Sequence, residues 1–134
     1  MSVQIELTPR AKSAVTLAVM LAAIMQMLDT TIANVALPHM QGSLSATQDQ
    51  LAWVLTSYIV ASAIMTLPIG WLSGRYGRKN VFVISTVGFT LTSLLCGAAT
   101  SLNEMIAFRI LQGLFGAALV PLSQAIMLDI NPKE

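Results

Sequence analysis

Apolar side chains fall along this chain in four long runs divided by short polar segments, and no stretch shows the every-second-residue alternation of a strand. The first run extends roughly from Ala14 to Leu37 and is expected to stop at Pro38. The second covers about Trp53 to Leu72, the third about Val81 to Ala99, and the fourth about Met105 to Leu128. Each is close to the ~20 residues that cross a hydrocarbon core as a helix. Lipid offers no partners to backbone N–H and C=O groups, so a helix, which satisfies its own, is the expected form. The pattern predicts an all-α integral membrane protein with four transmembrane helices. Residues 1–13 form an N-terminal segment outside the bilayer, and 14–134 form one transmembrane unit.

Composition agrees. Hydrophobic residues make up 55% of the 134 and charged residues 10%, with a mean hydropathy of +0.74. A soluble domain carries roughly a quarter of its residues as Asp, Glu, Lys and Arg, so this chain cannot dress a water-facing surface. The first run is expected to be a retained span and not a cleaved signal: it exceeds the ~7–15 apolar residues of a signal core and carries Gln26, Asp29 and Asn34. Cys96 has no second cysteine to pair with and reads as a small buried residue.

The basic residues set the orientation. Arg10 and Lys12 precede the first run, Arg75, Arg78 and Lys79 lie between the second and third, and Lys133 follows the fourth. Segments 38–52 and 100–104 contain none. By the positive-inside rule both chain ends and the 73–80 turn are expected in the cytoplasm. Trp53 and Trp71, 18 residues apart, flank the second run at about 27 Å along a helix, a spacing suited to the two membrane interfaces.

Ionisable residues submerged in lipid are costly and mark function. Asp29 and Arg109 qualify, whereas Asp129, beside Asn131 and Pro132, is expected at the interface. Gln26, Asp29, Thr30 and Ala33 share one helical face by their spacing, with Asn34 adjoining, so the first helix carries a polar stripe. A carboxylate there can take up a proton in one conformation and release it in another. The alternative is a structural Asp bonded to Thr31 or a neighbouring helix. Arg109 and Asp29 both fall in the outer half of their helices, which makes a direct pair conceivable. Side chains lean toward a helix N-terminus, however, so the two lean apart, and Arg109 snorkelling to the outer headgroups is the competing reading. Gln112, one turn on, extends the polar face.

Gly113, Gly116 and Ala117 place small residues where another helix can approach closely, and Pro68 and Pro121 are expected to kink the second and fourth helices. The turn Gly70-Trp71-Leu72-Ser73-Gly74-Arg75-Tyr76-Gly77-Arg78-Lys79 clusters three cations at the membrane surface. They fix topology and attract anionic lipid, and a second possibility is a latch onto the partial negative charge of helix C-termini.

These segments resemble a known family. Gly70, Leu72, Arg75, Gly77, Arg78 and Lys79 match the Gly-x-Leu-x-Asp-Arg-x-Gly-Arg-Lys loop signature of the major facilitator superfamily. The run Arg109-Ile-Leu-Gln112-Gly113-Leu-Phe-Gly116-Ala117-Ala118 is similar to that family's fourth-span motif, with its second glycine one place later than in some versions. Leu28 to Pro38 looks like the first-span signature of the fourteen-span drug:proton antiporters of the EmrB/QacA type. One position departs from the pattern: Gly74 stands where the loop signature has its aspartate, a residue thought to cap the third helix, and this weakens the gating role of Arg75 and Arg78.

The resemblance implies the partial N-terminal lobe of a two-lobed bundle that alternates access to a central cavity, driven by the proton gradient and needing no cofactor. It implies Asp29 as a proton or cationic-substrate group and Arg109 as its partner in coupling. The expected setting is the bacterial inner membrane, and the expected partners are lipid, the remaining transporter helices and an amphipathic or cationic small molecule, with no nucleic acid. A six-helix lobe is built from two inverted three-helix units, so this chain is expected to hold one such unit and one further helix, and not to transport alone. Rival readings are a complete four-span transporter acting as a dimer, and a truncated, non-transporting membrane protein. No nucleophile–base set, phosphate loop or metal-ligand cluster appears, and His39 lies alone in an external loop, which speaks against an enzyme.

Overall fold

The computed structural model describes residues 7–131, and every element in that range is helical: α1 (Pro9–Ser43), α2 (Gln48–Tyr76), α3 (Arg78–Ala98), α4 (Leu102–Gly116) and α5 (Leu119–Ile130). Residues 1–6 of the N-terminal segment, and Lys133 of the charge asymmetry, lie outside the described residues. Taken together, α4 and α5 make the fourth of four helices long and apolar enough to cross a membrane.

Local chemistry sets the helix starts. Thr8 accepts a hydrogen bond from the Ala11 N–H, and Pro9 takes the first helical position, where its missing N–H costs nothing. Thr47 and Gln50 form a reciprocal cap on α2, the Gln50 N–H donating to Thr47 Oγ1 at 3.3 Å and the Thr47 N–H to Gln50 Oε1 at 2.9 Å. Ser101 caps α4 by accepting from the Glu104 N–H. Gly77 alone separates α2 from α3, at φ 87°. Only glycine enters that region without strain, and this makes so short a reversal possible.

One expected boundary needs correction, and the kink expected at Pro121 is found as a break. Pro38 does not stop the first helix, which reads through it to Ser43. One ladder bond is lost, but the added turns carry Met40 and Leu44 onto a cluster formed by Leu37, Ala46, Leu51, Val54 and Met105, and that burial offsets the loss. The fourth span is not one continuous helix: it breaks at Ala117–Ala118. Pro121 is the cause, since it has no N–H for the Ala117 carbonyl four residues earlier. Pro68, by contrast, sits inside an uninterrupted α2.

The main core lies toward the α2–α3 turn, where Phe89, Ala118 and Leu119 are fully buried with Tyr58, Ile69, Phe82 and Leu122 around them. The tightest seam joins α4 to α2. A Cβ on Gly113 would stand 2.5 Å from the Tyr58 carbonyl oxygen, and one on Gly116 would stand 2.8 Å from the Tyr58 hydroxyl, so both glycines are what let the helices close. Gly88 does the same for the Phe115 ring across the α3–α4 seam. The outside is apolar in all directions: Leu67 is 85% exposed and Met27 70%. Water would penalise such a surface, and hydrocarbon does not.

Candidate functional site

The polar stripe of α1 meets α4 through a closed ring of three side chains. Arg109 Nη1 donates to Asp29 Oδ2 at 2.9 Å and to Gln112 Oε1 at 2.8 Å, and Gln112 Nε2 donates to Asp29 Oδ1 at 2.7 Å. Arg109 and Gln112 are three residues apart and therefore share one face of α4. Helix direction had opposed this pair, yet the reach of the arginine side chain exceeds the lean. Snorkelling is excluded, because the Arg109 side chain is only 4% exposed.

Three residues that no sequence pattern singled out complete the site. The Tyr58 ring lies 4.5 Å from the Arg109 guanidinium carbon, a cation–π contact strengthened by burial. Ser93 Oγ donates to Asp29 Oδ1 at 3.5 Å, and the Cys96 thiol lies 3.5 Å from Gln112 Oε1. Each of the three sits uncharged within an apolar run. The only signal for Tyr58 was a phenol in the middle of the second span. Gln26 lies one turn below the ring, where its Nε2 donates to the Tyr58 hydroxyl at 3.2 Å and to the Gly116 carbonyl at 3.0 Å. Asn34 is not brought in. It is exposed, and its amide donates to the Thr30 carbonyl of its own helix at 2.9 Å, because five residues past Asp29 the helix has turned it out of the stripe.

A buried ion pair persists only when its remaining hydrogen-bonding capacity is met, and here Gln112 meets it on both sides. The ring is not saturated. Arg109 Nε and Gln26 Oε1 are buried without a partner, leaving capacity for a second arrangement. Asp29 is the more open member, its side chain 16% exposed, and it borders a cavity of about 780 Å³ between α1 and the halves of α3 and α4 nearest their connecting loop. The walls are mostly apolar, with Leu28, Ile32, Met105 and Cys96 around Asp29 and Arg109. A proton placed on Asp29 would abolish the ion pair with Arg109 and make the Gln112 bond a neutral one, weakening the hold on Arg109.

The basic turn forms a second, separate cluster. Arg78 Nη1 donates to Asp129 in the last turn of α5, at 2.6 Å from Oδ1, with both side chains about half exposed. With Gly74 at the aspartate position of the loop signature, α3 has no side-chain cap, and Arg78 binds the α5 carboxylate rather than bare helix-end carbonyls. Arg75 stacks 5.6 Å from the Trp71 ring centroid and 6.0 Å from that of Tyr76. Lys79 is exposed, Gly70 has open space where a Cβ would sit, and Gly77 makes the reversal. Pro121, with Gly113 and Gly116, shapes the α4–α5 break that lies between the two clusters.

Known proteins are similar to this chain. The chain is 47% identical over 119 residues to the multidrug export protein EmrB of Haemophilus influenzae and 45% identical over 117 residues to that of Escherichia coli, which covers 89% and 87% of this chain. It is 44% identical over 118 residues, 88% of the chain, to the fatty acid resistance protein FarB of Neisseria gonorrhoeae. In each case the match spans only 23% of the relative's own length. No solved structure matches. The family model of the Major Facilitator Superfamily covers residues 19–134, and with it four of the five described helices and most of α1: the chain belongs to the Major Facilitator Superfamily.

Proposed function

We propose that this chain is the N-terminal part of a proton-coupled multidrug exporter that works by alternating access, with the ring of Asp29, Arg109 and Gln112 as its coupling group. The observation that carries this reading is a buried acid–base pair whose acidic member opens onto a large apolar cavity. The cavity suits an amphipathic or cationic small molecule, and the relatives named as multidrug exporters support that class. Proton and substrate compete in this scheme. A proton on Asp29 loosens Arg109, and its departure rebuilds the ring. Gln26 and Tyr58 transmit the change toward the α4–α5 break, and the Arg78–Asp129 pair with the Gly70–Lys79 turn latches the inner end. Residues 14–134 form part of one lobe, completed by further transporter helices, with both chain ends and the 73–80 turn in the cytoplasm of a bacterial inner membrane. The family match favours this reading over a four-span dimer.

The test uses inverted membrane vesicles containing the whole transporter that carries this sequence, with ethidium as probe and a pH-sensitive dye inside. Wild type is expected to move ethidium and dissipate the proton gradient together, and Asp29→Asn to do neither while inserting normally. Full pH-dependent transport by Asp29→Asn would remove Asp29 from the mechanism. Residues 1–134 expressed alone are expected to give no ethidium-dependent proton flux.

A further inference from the structure

On the opposite side of α3 from the Asp29 ring, α2, α3 and α4 enclose a second groove of about 590 Å³. Ile84, which lines it, and Ser93, which reaches Asp29, are nine residues apart, about half a turn out of phase on a helix. The groove is therefore distinct from the coupling site. Met65 and Ile69 of α2, Ile84 of α3 and Phe115 of α4 form its apolar walls, and Tyr76 and Lys79 form its end at the α2–α3 turn. It opens outward: Ile84 is 62% exposed and Tyr76 57%.

Charge at that end is unbalanced. Arg78 is paired with Asp129, whereas Arg75 and Lys79 have no carboxylate within 4.0 Å among the described residues. Arg75 instead lies over Trp71 and Tyr76, two amphipathic rings of the kind that settle at headgroup level. An apolar trough ending in the unneutralised Lys79, with Arg75 held beside that end over the Tyr76 ring, is complementary to a molecule with a long apolar tail and an anionic head. Basic pockets between transmembrane helices hold anionic lipid headgroups, and the volume falls in the ~300–1,000 Å³ range of specific small-molecule sites.

We infer that this groove seats one anionic phospholipid, an acyl chain lying along Met65, Ile69, Ile84 and Phe115 and the phosphate held at Lys79 with Arg75 beside it. The site requires that the chain spans a membrane and that no further transporter helix covers the groove, so it stands whether or not Asp29 couples protons.

The transporter carrying this sequence is reconstituted in nanodiscs of equal phosphatidylglycerol and phosphatidylcholine, extracted, washed, and its retained lipid counted by native mass spectrometry. Wild type is expected to keep one phosphatidylglycerol. Lys79→Gln is expected to lower retention about fivefold, equivalent to about 1 kcal/mol for one cation at an anionic surface, and Ile84→Trp, which fills the trough, to lower it at least as much. Arg10→Gln and Ile64→Trp change a cation and an exposed apolar side chain outside the groove and are expected to leave retention unchanged. Phosphatidylglycerol with a photoactivatable acyl chain is expected to label the stretches around Ile84 and Phe115. Equal retention of phosphatidylcholine, equal retention by all four variants, or a photo-crosslinker at position 84 that captures another protein helix instead of lipid would overturn the site.

Discussion

Gly113→Ala isolates how the helix seam supports the site, because the new methyl touches no polar side chain of the ring. Its Cβ would stand 2.5 Å from the Tyr58 carbonyl oxygen and 3.0 Å from the Ala61 Cβ, where ordinary contact begins at 3.4 Å. The neighbour is backbone and cannot rotate away, so α2 must retreat from α4 by about 0.9 Å (3.4 less 2.5). Tyr58 moves with it. Its hydroxyl, now 3.2 Å from Gln26 Nε2, passes out of hydrogen-bonding range, and its ring, now 4.5 Å from Arg109, loses part of the cation–π contact. Overpacking of this kind costs about 1–3 kcal/mol, with roughly a further 0.5–1.5 kcal/mol for the hydrogen bond. Gly97→Ala is the matched control: it lies in the last turn of α3 with nothing within 4 Å of its Cβ position, and it should not lower stability, any gain staying below the ~1 kcal/mol of a helix-interior glycine. Reversible unfolding of the purified transporter in mixed detergent–dodecyl sulfate micelles reads both. Equal stability of Gly113→Ala and wild type would refute the close α2–α4 seam.

Other expectations follow from the basic turn and the charge pattern. The Arg78–Asp129 pair is half exposed, so Arg78→Ala should lower stability by no more than about 1 kcal/mol, less in high salt, and the exchange Arg78→Asp with Asp129→Arg should restore most of it in the same unfolding assay. A loss several times larger would mean that the pair is shielded from solvent. Tags near residues 45 and 76 should report opposite compartments, the second cytoplasmic, and agreement between them would contradict the orientation proposed from the cations.

The long apolar runs made the four-helix architecture legible, because burial in lipid imposes length and composition on every span at once. Boundaries were less so. Whether Pro38 ends a helix depends on what the following turns can pack against, and one of the partners, Met105, lies far along the chain. Asp29 and Arg109 announced themselves by the cost of submerged charge, but their distance did not follow from helix direction alone, since a long flexible side chain can override its lean. Tyr58, Ser93 and Cys96 carried no such cost and stayed hidden among apolar neighbours. Asn34 shows the reverse case: a polar residue beside the stripe whose own backbone satisfies it.

Infrared difference spectroscopy of the purified transporter on acidification tests the central claim most directly, since it detects a carboxylate becoming a carboxylic acid. The account predicts a protonated-carboxyl band in wild type that is missing from Asp29→Asn and altered in shape by Gln112→Leu, which removes one of the bonds to that carboxylate. Identical spectra from wild type and Asp29→Asn would mean that Asp29 never takes a proton, and the coupling role would fall.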